Sequence, residues 1–284
     1  MTARTRKRTA LALIAMAIAA FAFSQLLRPL RDASDFLVPS AREAEAARAA
    51  FGLALAGGQE TPDGLRVARR LENADVLVLE ESEDQCAGRG LYQLRADAAV
   101  PLALVAPHRG ADRHTGTIVR DLFEEQDFAA AAWNSAPRRA DDICAGGDVA
   151  REETHYITAF SRAFADRYPG GRIVQVHGFE RARRETAAAR NTDIIVSDGT
   201  DEPGERLLDV ADCLSTRLAP LRVAVYPYDA SELGALTNAQ GRALREDGFD
   251  GFVHLELAPD LRLRLTRERP LRDTLAACLV TGLE

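Results

Sequence analysis

Three polar residues have the types and the spacing of a metal site. His108 stands in the run APHRGADRHTG, four residues before Asp112, and His177 stands in the run VQVHGF. The Gly-containing stretch between the first two can fold the carboxylate back beside the imidazole. Two imidazoles and one carboxylate are the usual protein ligands of a catalytic zinc ion, whose fourth position is left for water. We therefore predict that His108, Asp112 and His177 bind Zn2+.

A carboxylate inside an apolar segment is the candidate general base. The run FVHLEL at 252–257 alternates so that Phe252, His254 and Glu256 share one face of a strand. A carboxylate that is buried in this way needs a polar partner, and a metal-bound water is a suitable one. The alternative is a structural salt bridge of Glu256 with Arg262 or Arg264.

The proposed ligands also have structural alternatives. A single histidine at the end of a strand is more often a hydrogen-bonded structural residue, and Asp112 is placed to cap a helix that begins near Thr115. A shared site is nevertheless the better explanation, because the candidates fall at the ends or interiors of separate predicted strands. His114 and His155 fall in polar surroundings, and we predict that both are surface histidines.

Strands that alternate with helices position these residues. Alternation of this kind predicts an α/β sheet with helices on both faces, within one domain at 71–284 that follows a helical stem at 28–70. Ligands gather at the carboxyl ends of the central strands in such sheets, which is where His108 and His177 stand. The predicted strands are 76–79, 91–94, 102–106, 173–176, 193–196, 222–226 and 252–257, and the predicted helices are 117–126, 153–168, 206–218, 231–245 and 271–279.

Several short motifs, taken in order, are similar to those of one known family. They are the PHxxxDxxT pattern from Pro107 to Thr115, Asn134 in AAWNSAPRR, His177 in QVHGF, and Glu256 with Arg262 in LELAPDLR. By these motifs, the stretch from about residue 80 to residue 264 resembles the N-formylglutamate amidohydrolase and poly-γ-glutamate hydrolase group of the zinc carboxypeptidase-like fold. The chain departs from the family in having Asp112 where a Glu ligand is common, and His254 where a Gln is common.

The resemblance implies a mixed, largely parallel sheet and a hydrolase mechanism. Zinc on His108, Asp112 and His177 would acidify its water and polarise a carbonyl, while Glu256 would carry the proton of the water to the leaving nitrogen. The substrate-binding candidates are Asn134, Arg138, Arg139, His254 and Arg262, of which the arginines can bind a carboxylate in a bidentate pair.

Three functions therefore stay open. The first is a zinc amidohydrolase that cleaves a γ-glutamyl, N-formyl or cell-wall peptide amide in a small peptide or acidic substrate. The second is a carboxypeptidase-like metallopeptidase with the same metal chemistry and a different pocket. The third is a non-catalytic binding protein that retains the fold.

The charge balance excludes a nucleic-acid binder. The chain has 36 Lys+Arg and 43 Asp+Glu, and residues 1–27 carry four basic and no acidic residues, so the rest has a formal net charge of −11. A nucleic-acid binder needs a basic face that displaces the counterions of the phosphates. An acidic substrate would instead need local arginines, because the field of the whole protein repels it.

Residues 1–27 have the pattern of an export segment. Basic residues at 4–8 precede an apolar run in which Ala20-Phe21-Ala22 has the small-x-small form of a cleavage site. Counted from Thr9 to Leu27, the run has 19 residues, just enough to span a bilayer. A cleaved signal peptide and an uncleaved membrane tether through residues 9–27 both stay open, and either one exports the rest to the periplasm or the extracellular space.

The four cysteines suit an exported chain, in which disulfides persist. None has CxxC spacing, so a cysteine zinc site is not expected. Cys86 and Cys144 lie in polar Gly-containing loops, whereas Cys213 and Cys278 lie in apolar helical patterns. We favour disulfides between cysteines in similar surroundings, Cys86 with Cys144 and Cys213 with Cys278. The alternative is four buried free thiols.

Overall fold

The computed structural model of the protein describes residues 35–71, 76–81 and 86–283. The predicted signal peptide or anchor at residues 1–27 lies outside the described residues. Among the helices of the described part, none has the length and apolar character needed to cross a membrane.

The described part of the chain contains nine β-strands and eight α-helices. The strands are β1 (Leu65–Leu71), β2 (Val76–Glu81), β3 (Leu91–Arg95), β4 (Val100–Ala106), β5 (Phe128–Trp133), β6 (Arg172–Gly178), β7 (Ile194–Ser197), β8 (Val223–Val225) and β9 (Phe252–Leu257). The helices are α1 (Ala41–Leu55), α2 (Thr115–Glu125), α3 (Tyr156–Arg167), α4 (Ala187–Arg190), α5 (Glu205–Arg217), α6 (Ala239–Glu246), α7 (Pro259–Leu265) and α8 (Arg269–Leu279).

The strands form one mixed sheet in the order β1-β2-β3-β5-β4-β6-β9-β7-β8. The neighbours β5–β4, β4–β6 and β6–β9 in the centre are parallel, as are β7 and β8 at one edge. The other neighbours are antiparallel. The predicted mixed α/β sheet is therefore confirmed, but only four of its eight neighbouring pairs are parallel, so it is not largely parallel as expected. Three of these four pairs lie where the candidate site is.

Helices cover both faces of the sheet, which explains why its central strands are apolar on both sides. Helices α1, α3 and α6 pack on one face around an aromatic cluster. Helices α2, α5, α7 and α8 pack on the other face with the aliphatic side chains of β4, β6 and β9. Both layers are buried, so the strands cannot shift their register without exposing apolar side chains.

The part of the predicted stem that the structure describes packs into the domain. Ser40 begins helix α1 with a capping box, in which its side chain and that of Glu43 bond each other's backbone N–H groups. Phe51 of this helix is fully buried, with its ring centroid 4.5 Å from that of Tyr92 and 5.6 Å from that of Phe160. Strand β1 then pairs with β2. Residues 41–71 thus supply part of the core instead of standing apart as a stem.

Two disulfides join the cysteines in the favoured pairing. Cys86 bonds Cys144, and Cys213 on α5 bonds Cys278 on α8. The first ties the loop after β5 to the segment before β3, and the second joins two helices on the same face of the sheet. Disulfides of this kind are typical of exported proteins.

Both disulfides are expected in protein produced in an oxidising compartment. The unreduced protein should be lighter than the fully reduced protein by the four hydrogens of two bonds. The variant Cys213→Ala/Cys278→Ala opens a loop of 65 residues, and we expect it to lower the free energy of unfolding by about 2–5 kcal/mol. Mass spectrometry and urea denaturation measure these effects. Four thiols that react with an alkylating reagent without reduction would contradict the assignment.

Candidate metal centre and active site

Three parallel strands bring the candidate residues to one edge of the sheet. His108 follows the end of β4, His177 lies near the end of β6, and Glu256 lies near the end of β9. In the register of β6 and β9, His177 is the direct neighbour of Glu256. Because neighbouring parallel strands end at the same edge of a sheet, residues far apart in sequence share one site.

The three predicted ligands converge on one point. Oδ2 of Asp112 lies 3.5 Å from Nδ1 of His108 and 3.2 Å from Nδ1 of His177. The two imidazole ring centroids are 5.0 Å apart. All three residues are buried, and each offers a ligand atom within 4.8 Å of the others. Two nitrogens and one carboxylate oxygen at this spacing are the donor set of a zinc site.

The far side of each imidazole is held by a second side chain. Nε2 of His108 lies 2.8 Å from Oδ1 of Asp148, and Nε2 of His177 lies 3.0 Å from Oε1 of Gln175. Metal-bound histidines are commonly oriented by such outer partners. Nδ1 of His108 is buried and has no hydrogen-bond partner within the described ranges. An unpaired buried nitrogen that faces a carboxylate fits a divalent metal at this point.

Charge within the centre favours a neutral ring at His177 and an ionised carboxylate at Asp112. Burial lowers the pKa of His108, but its contacts with Asp112 and Asp148 outweigh burial and raise that pKa. Burial lowers the pKa of His177, so its ring is neutral. Burial raises the pKa of Asp112, but the imidazoles of His108 and His177 beside it outweigh burial and hold that pKa well below its usual range. A neutral imidazole and a carboxylate are the protonation states that bind metal ions.

The structural alternatives for Asp112 and Glu256 do not match the geometry. Helix α2 begins at His114 without a side-chain cap, and the carboxylate of Asp112 instead accepts the backbone N–H of Gly178 at 3.2 Å. The two arginines considered as partners of Glu256 are paired elsewhere, Arg262 with Glu180 and Arg264 with Glu268. Both carboxylates are thus left facing the site.

The carboxylate of Glu256 is buried and has few polar neighbours. Its Oε1 lies 3.8 Å from Nε2 of His254, and its Oε2 has no hydrogen-bond partner within the described ranges. Burial and the negative charge of Asp112 raise its pKa to about 8. Burial and the neighbouring His177 hold the pKa of His254 well below its ordinary value, so that ring is uncharged. A carboxylate with a raised pKa in a cleft is suited to proton transfer.

A second group of side chains also has the composition of a metal site. His177, His254 and Glu256 offer ligand atoms within 4.8 Å of one another. His177 belongs to both groups, and its Nε2 is taken by Gln175. One nitrogen of His177 therefore remains, and it cannot bind two ions at once. We take the group with Asp112 as the metal site because Nδ1 of His177 faces that carboxylate.

The centre opens into a cavity of about 850 Å³ with several arginines in its wall. Of the predicted substrate-binding residues, Arg138, Arg139 and His254 line it. Arg138 also pairs with Asp148, at 2.8 Å from Oδ2. The remaining arginines of the lining are Arg151, Arg183 and Arg184.

Two predicted substrate-binding residues do not reach the cavity. Asn134 is fully buried and donates to the carbonyl of Ala136. Arg262 is 2% exposed, and its guanidinium donates to the carbonyls of Arg113 and Phe179 as well as to Glu180. The structure corrects these two assignments: Asn134 and Arg262 hold the loops that flank the site in place.

Sequence reasoning missed several residues of the site. Asp148 lies 40 residues from its partner His108, in a loop without a motif. Gln175 had a signal, because it precedes His177 by two residues and so shares its face of the strand. Arg183 and Arg184 follow β6 in a basic stretch that was not singled out.

The two other histidines differ from each other. His155 was predicted to be exposed, but it is 1% exposed, begins helix α3 and lies 2.6 Å from the carbonyl oxygen of Gly88 through Nε2. Its surface assignment was wrong. His114 is half-buried at the start of α2, with a positive φ of 75°. Neither belongs to the groups with metal-site composition.

Glu256 is expected to make the metal-free protein less stable as the pH rises. Its pKa is raised from 4.5 to about 8 in the folded state. The stability that this group contributes is therefore complete below pH 4.5 and is lost as the pH rises toward about 8. Urea unfolding in the presence of a chelator, followed across this range, should show a larger loss for the parent protein than for Glu256→Gln. Equal losses would contradict the raised pKa.

Comparisons with known proteins found similar solved structures but no matching sequence family. No family model matches the chain, and no curated protein matches it. Similar solved structures include an N-formylglutamate amidohydrolase from Ralstonia eutropha, with 15% identity and a TM-score of 0.42 over 66% of this chain and 94% of that one. They also include a bacteriophage poly-γ-glutamate hydrolase, with 13% identity and a TM-score of 0.37 over 65% and 84%.

A metallo-carboxypeptidase from Burkholderia cenocepacia is similar too, with 13% identity and a TM-score of 0.41 over 81% of this chain and 67% of that one. These are the groups that the sequence motifs indicated. At such low identities and TM-scores the similarity supports no statement about activity. Function has to be argued from the site itself.

Proposed function

We propose that the protein is a zinc-dependent amidohydrolase that cleaves an amide bond in a small acidic substrate. The observation that carries this proposal is the arrangement at the cavity floor. Nδ1 of His108, Nδ1 of His177 and Oδ2 of Asp112 converge on one point. The carboxylate of Glu256, whose Oε2 has no hydrogen-bond partner among the described residues, lies beside them. A three-ligand centre with a neighbouring base is the arrangement needed to hydrolyse an amide.

Each side chain has a separate task in this mechanism. His108, Asp112 and His177 would hold the ion, which would supply an acidified water and polarise the scissile carbonyl. Oε2 of Glu256 accepts a proton from the attacking water and delivers it to the leaving nitrogen. His254 is uncharged and lines the cavity with an unpaired Nδ1, which makes it a hydrogen-bonding partner for the substrate.

The arginines of the wall favour an acidic substrate. The body of the protein is acidic, with a formal net charge of −11 after residue 27, so a carboxylate needs local positive charge to approach. Arg139 and Arg183 are exposed. Arg184 makes only a 3.4 Å contact with Glu232, and its Nε is unpaired within the described ranges. γ-Glutamyl, N-formyl amino-acid and cell-wall peptide amides all carry a carboxylate that such a wall can bind.

Metal analysis and a substrate panel test this function. Purified protein should contain one zinc per chain and should release product from at least one amide of the acidic panel. Carboxypeptidase substrates form the second arm, because the same centre suits a metallopeptidase. Loss of activity with a chelator and its return with zinc identifies the metal. Stoichiometric zinc without turnover of any amide or peptide would favour a binding protein instead.

Arg184 is expected to affect substrate binding more than chemistry. Its guanidinium lines the cavity and is close enough to Glu256 to lower the pKa of that carboxyl, against the larger effect of burial. Arg184→Gln should raise KM for a carboxylate-bearing substrate by about 10- to 100-fold, since a hydrogen bond to a charged group contributes about 1.5–3 kcal/mol. The KM for a neutral amide of the same size should hardly change.

Arg269→Gln is the matched control for that measurement. Arg269 begins helix α8 outside the cavity, and its one ion pair among the described residues is a long contact of 3.9 Å with Asp273. We expect its steady-state kinetics to equal those of the parent. An equal rise in KM for the acidic and the neutral substrate with Arg184→Gln would argue against carboxylate binding by this wall.

Export is part of the proposal. The two disulfides support an oxidising compartment, and residues 1–27 have the pattern of a signal peptide or tether. We therefore place the activity in the periplasm or outside the cell. Fractionation of cells that express the 284-residue chain would separate a soluble exported form from one held by residues 9–27.

A further inference from the structure

A series of hydrogen-bonded, buried side chains runs from His177 through Gln175 and Gln240 to Thr158 on helix α3, and we call it the relay. Oε1 of Gln175 lies 3.0 Å from Nε2 of His177, and Nε2 of Gln175 lies 3.0 Å from Oε1 of Gln240. Nε2 of Gln240 in turn lies 2.7 Å from Oγ1 of Thr158. None of these four residues is more than 5% exposed. Because a buried polar group without its partner is costly, each donor in this relay must meet an acceptor.

The far end of the relay has only one possible orientation. Nε2 of Gln240 also donates to the backbone carbonyl of Val149 at 2.9 Å, and a carbonyl can only accept. The hydroxyl of Thr158 donates its hydrogen to the carbonyl of Glu152 at 2.9 Å, so its oxygen is left to accept from Gln240. The amide of Gln240 is therefore fixed, with its oxygen toward Gln175.

Gln175 is fixed as a consequence. Its nitrogen must face the oxygen of Gln240, which leaves its Oε1 toward His177. A second anchor agrees with this orientation, because Oδ1 of Asn238 accepts the backbone N–H of Gly241 and its Nδ2 then donates to Oε1 of Gln175. Reversal of the Gln175 amide would oppose two oxygens on one side and two amino groups on the other.

We propose that this relay sets the tautomer of His177, with the hydrogen on Nε2 and the lone pair on Nδ1. Both ring nitrogens of His177 face an acceptor, Oε1 of Gln175 at 3.0 Å from Nε2 and Oδ2 of Asp112 at 3.2 Å from Nδ1, and the neutral ring has one hydrogen to donate. The shorter contact and the fixed amide of Gln175 favour that hydrogen on Nε2. The bare Nδ1 then faces Oδ2 of Asp112 at 3.2 Å. Two acceptors at this distance repel each other unless a cation lies between them, so the relay prepares the ring to bind metal before the metal arrives.

Gln175 is thus a positioning residue, and Gln240 acts on the site although it does not touch His177. The inference rests on the proposed function only in treating His177 as a metal ligand. It goes beyond that function because it assigns a role to residues of α6 and α3 outside the group that binds the ion. Outer partners of metal-bound histidines typically change metal affinity by about 10- to 100-fold when they are removed.

The tautomer can be read directly in the metal-free 284-residue chain. Long-range proton–nitrogen NMR spectra of its histidine rings distinguish a hydrogen on Nε2 from one on Nδ1. We expect the neutral ring of His177 in the parent protein to carry its hydrogen on Nε2. A neutral His177 with its hydrogen on Nδ1 would overturn the proposal without any variant, so the test does not depend on a variant that folds.

Two variants extend the test along the relay. Gln175→Met removes the acceptor and should give a mixture of tautomers and a loss of zinc affinity of about 10- to 100-fold. Gln240→Met leaves His177 and Gln175 intact but removes one of the two groups that fix the amide of Gln175, the other being Asn238, so we expect the same changes to be smaller. Gln93→Met is the matched control: it makes the same substitution on β3 of the same sheet, and neither affinity nor tautomer should change.

The outcomes separate this inference from the proposed function. If Gln175→Met binds zinc like the parent and keeps one tautomer, the relay does not position His177. If Gln240→Met has no effect while Gln175→Met does, Asn238 alone fixes the amide of Gln175 and the relay through Gln240 is overturned. If the parent has the expected tautomer and binds zinc but cleaves no amide, the relay stands and the proposed function fails.

Discussion

His108→Ala and His177→Ala are each expected to leave the purified protein without stoichiometric zinc. Each substitution removes one of the three nitrogen and oxygen atoms that converge at the cavity floor, and two ligands cannot hold the ion tightly. Elemental analysis and titration with a competing chelator measure the loss. Folding should suffer as well, because a bound metal stabilises the native state by mass action, by about 4 kcal/mol at a thousandfold excess over the dissociation constant.

His114→Ala is the control for these two variants. His114 lies in the loop between His108 and helix α2, but it belongs to neither group of metal-ligand composition. Its substitution should leave the zinc content and the zinc-dependent rise in Tm unchanged. If His114→Ala loses the metal while His108→Ala keeps it, the ligand assignment is wrong.

Glu256→Gln is expected to separate catalysis from metal binding. The amide has the shape of the carboxylate but cannot accept the proton of the attacking water. Turnover should fall by about 10²- to 10⁴-fold, with zinc content unchanged and the substrate dissociation constant little affected. Steady-state kinetics and metal analysis on the same preparation measure both quantities.

Each other outcome for Glu256→Gln has a definite meaning. Loss of zinc would make Glu256 a ligand and would favour the group with His177 and His254 over the group with Asp112. Survival of both metal and turnover would show that another group moves the proton. Arg264→Gln is a useful control, because Arg264 pairs with Glu268 on the surface and should not affect either quantity.

At strand β5 and in the segment before α6, the local sequence pattern did not predict the secondary structure that is observed. β5 has the sequence FAAAAW, and alanine favours helices in isolation, so no strand was predicted there. It is a strand because it lies in the sheet centre between β3 and β4, where small side chains fit beneath packed helices. A helix was predicted at residues 231–245, but α6 covers only Ala239–Glu246, and Leu233 and Ala235 before it have positive φ angles of 67° and 56°.

The sequence by itself determined the alternation of strands and helices and the positions of His108, Asp112, His177 and Glu256 near strand ends. It also favoured, without deciding, the pairing of the cysteines that the structure shows. These features depend on local periodicity and on residue type, which can be read without knowing what lies nearby. They were sufficient to indicate a metal centre and a base.

Only the tertiary structure decided which other residues join that centre. Asp148 and Gln175 contact the histidines of the centre, and Arg184 lines the cavity. Arg262 does not line the cavity, because it bonds Glu180 and backbone carbonyls instead. Whether a polar side chain faces the site depends on loop conformation and on competing partners distant in sequence. Hydrogen bonds and charge pairs between such residues form only when the sheet has brought the loops together, so local pattern reveals none of them except Gln175, which shares a strand face with His177.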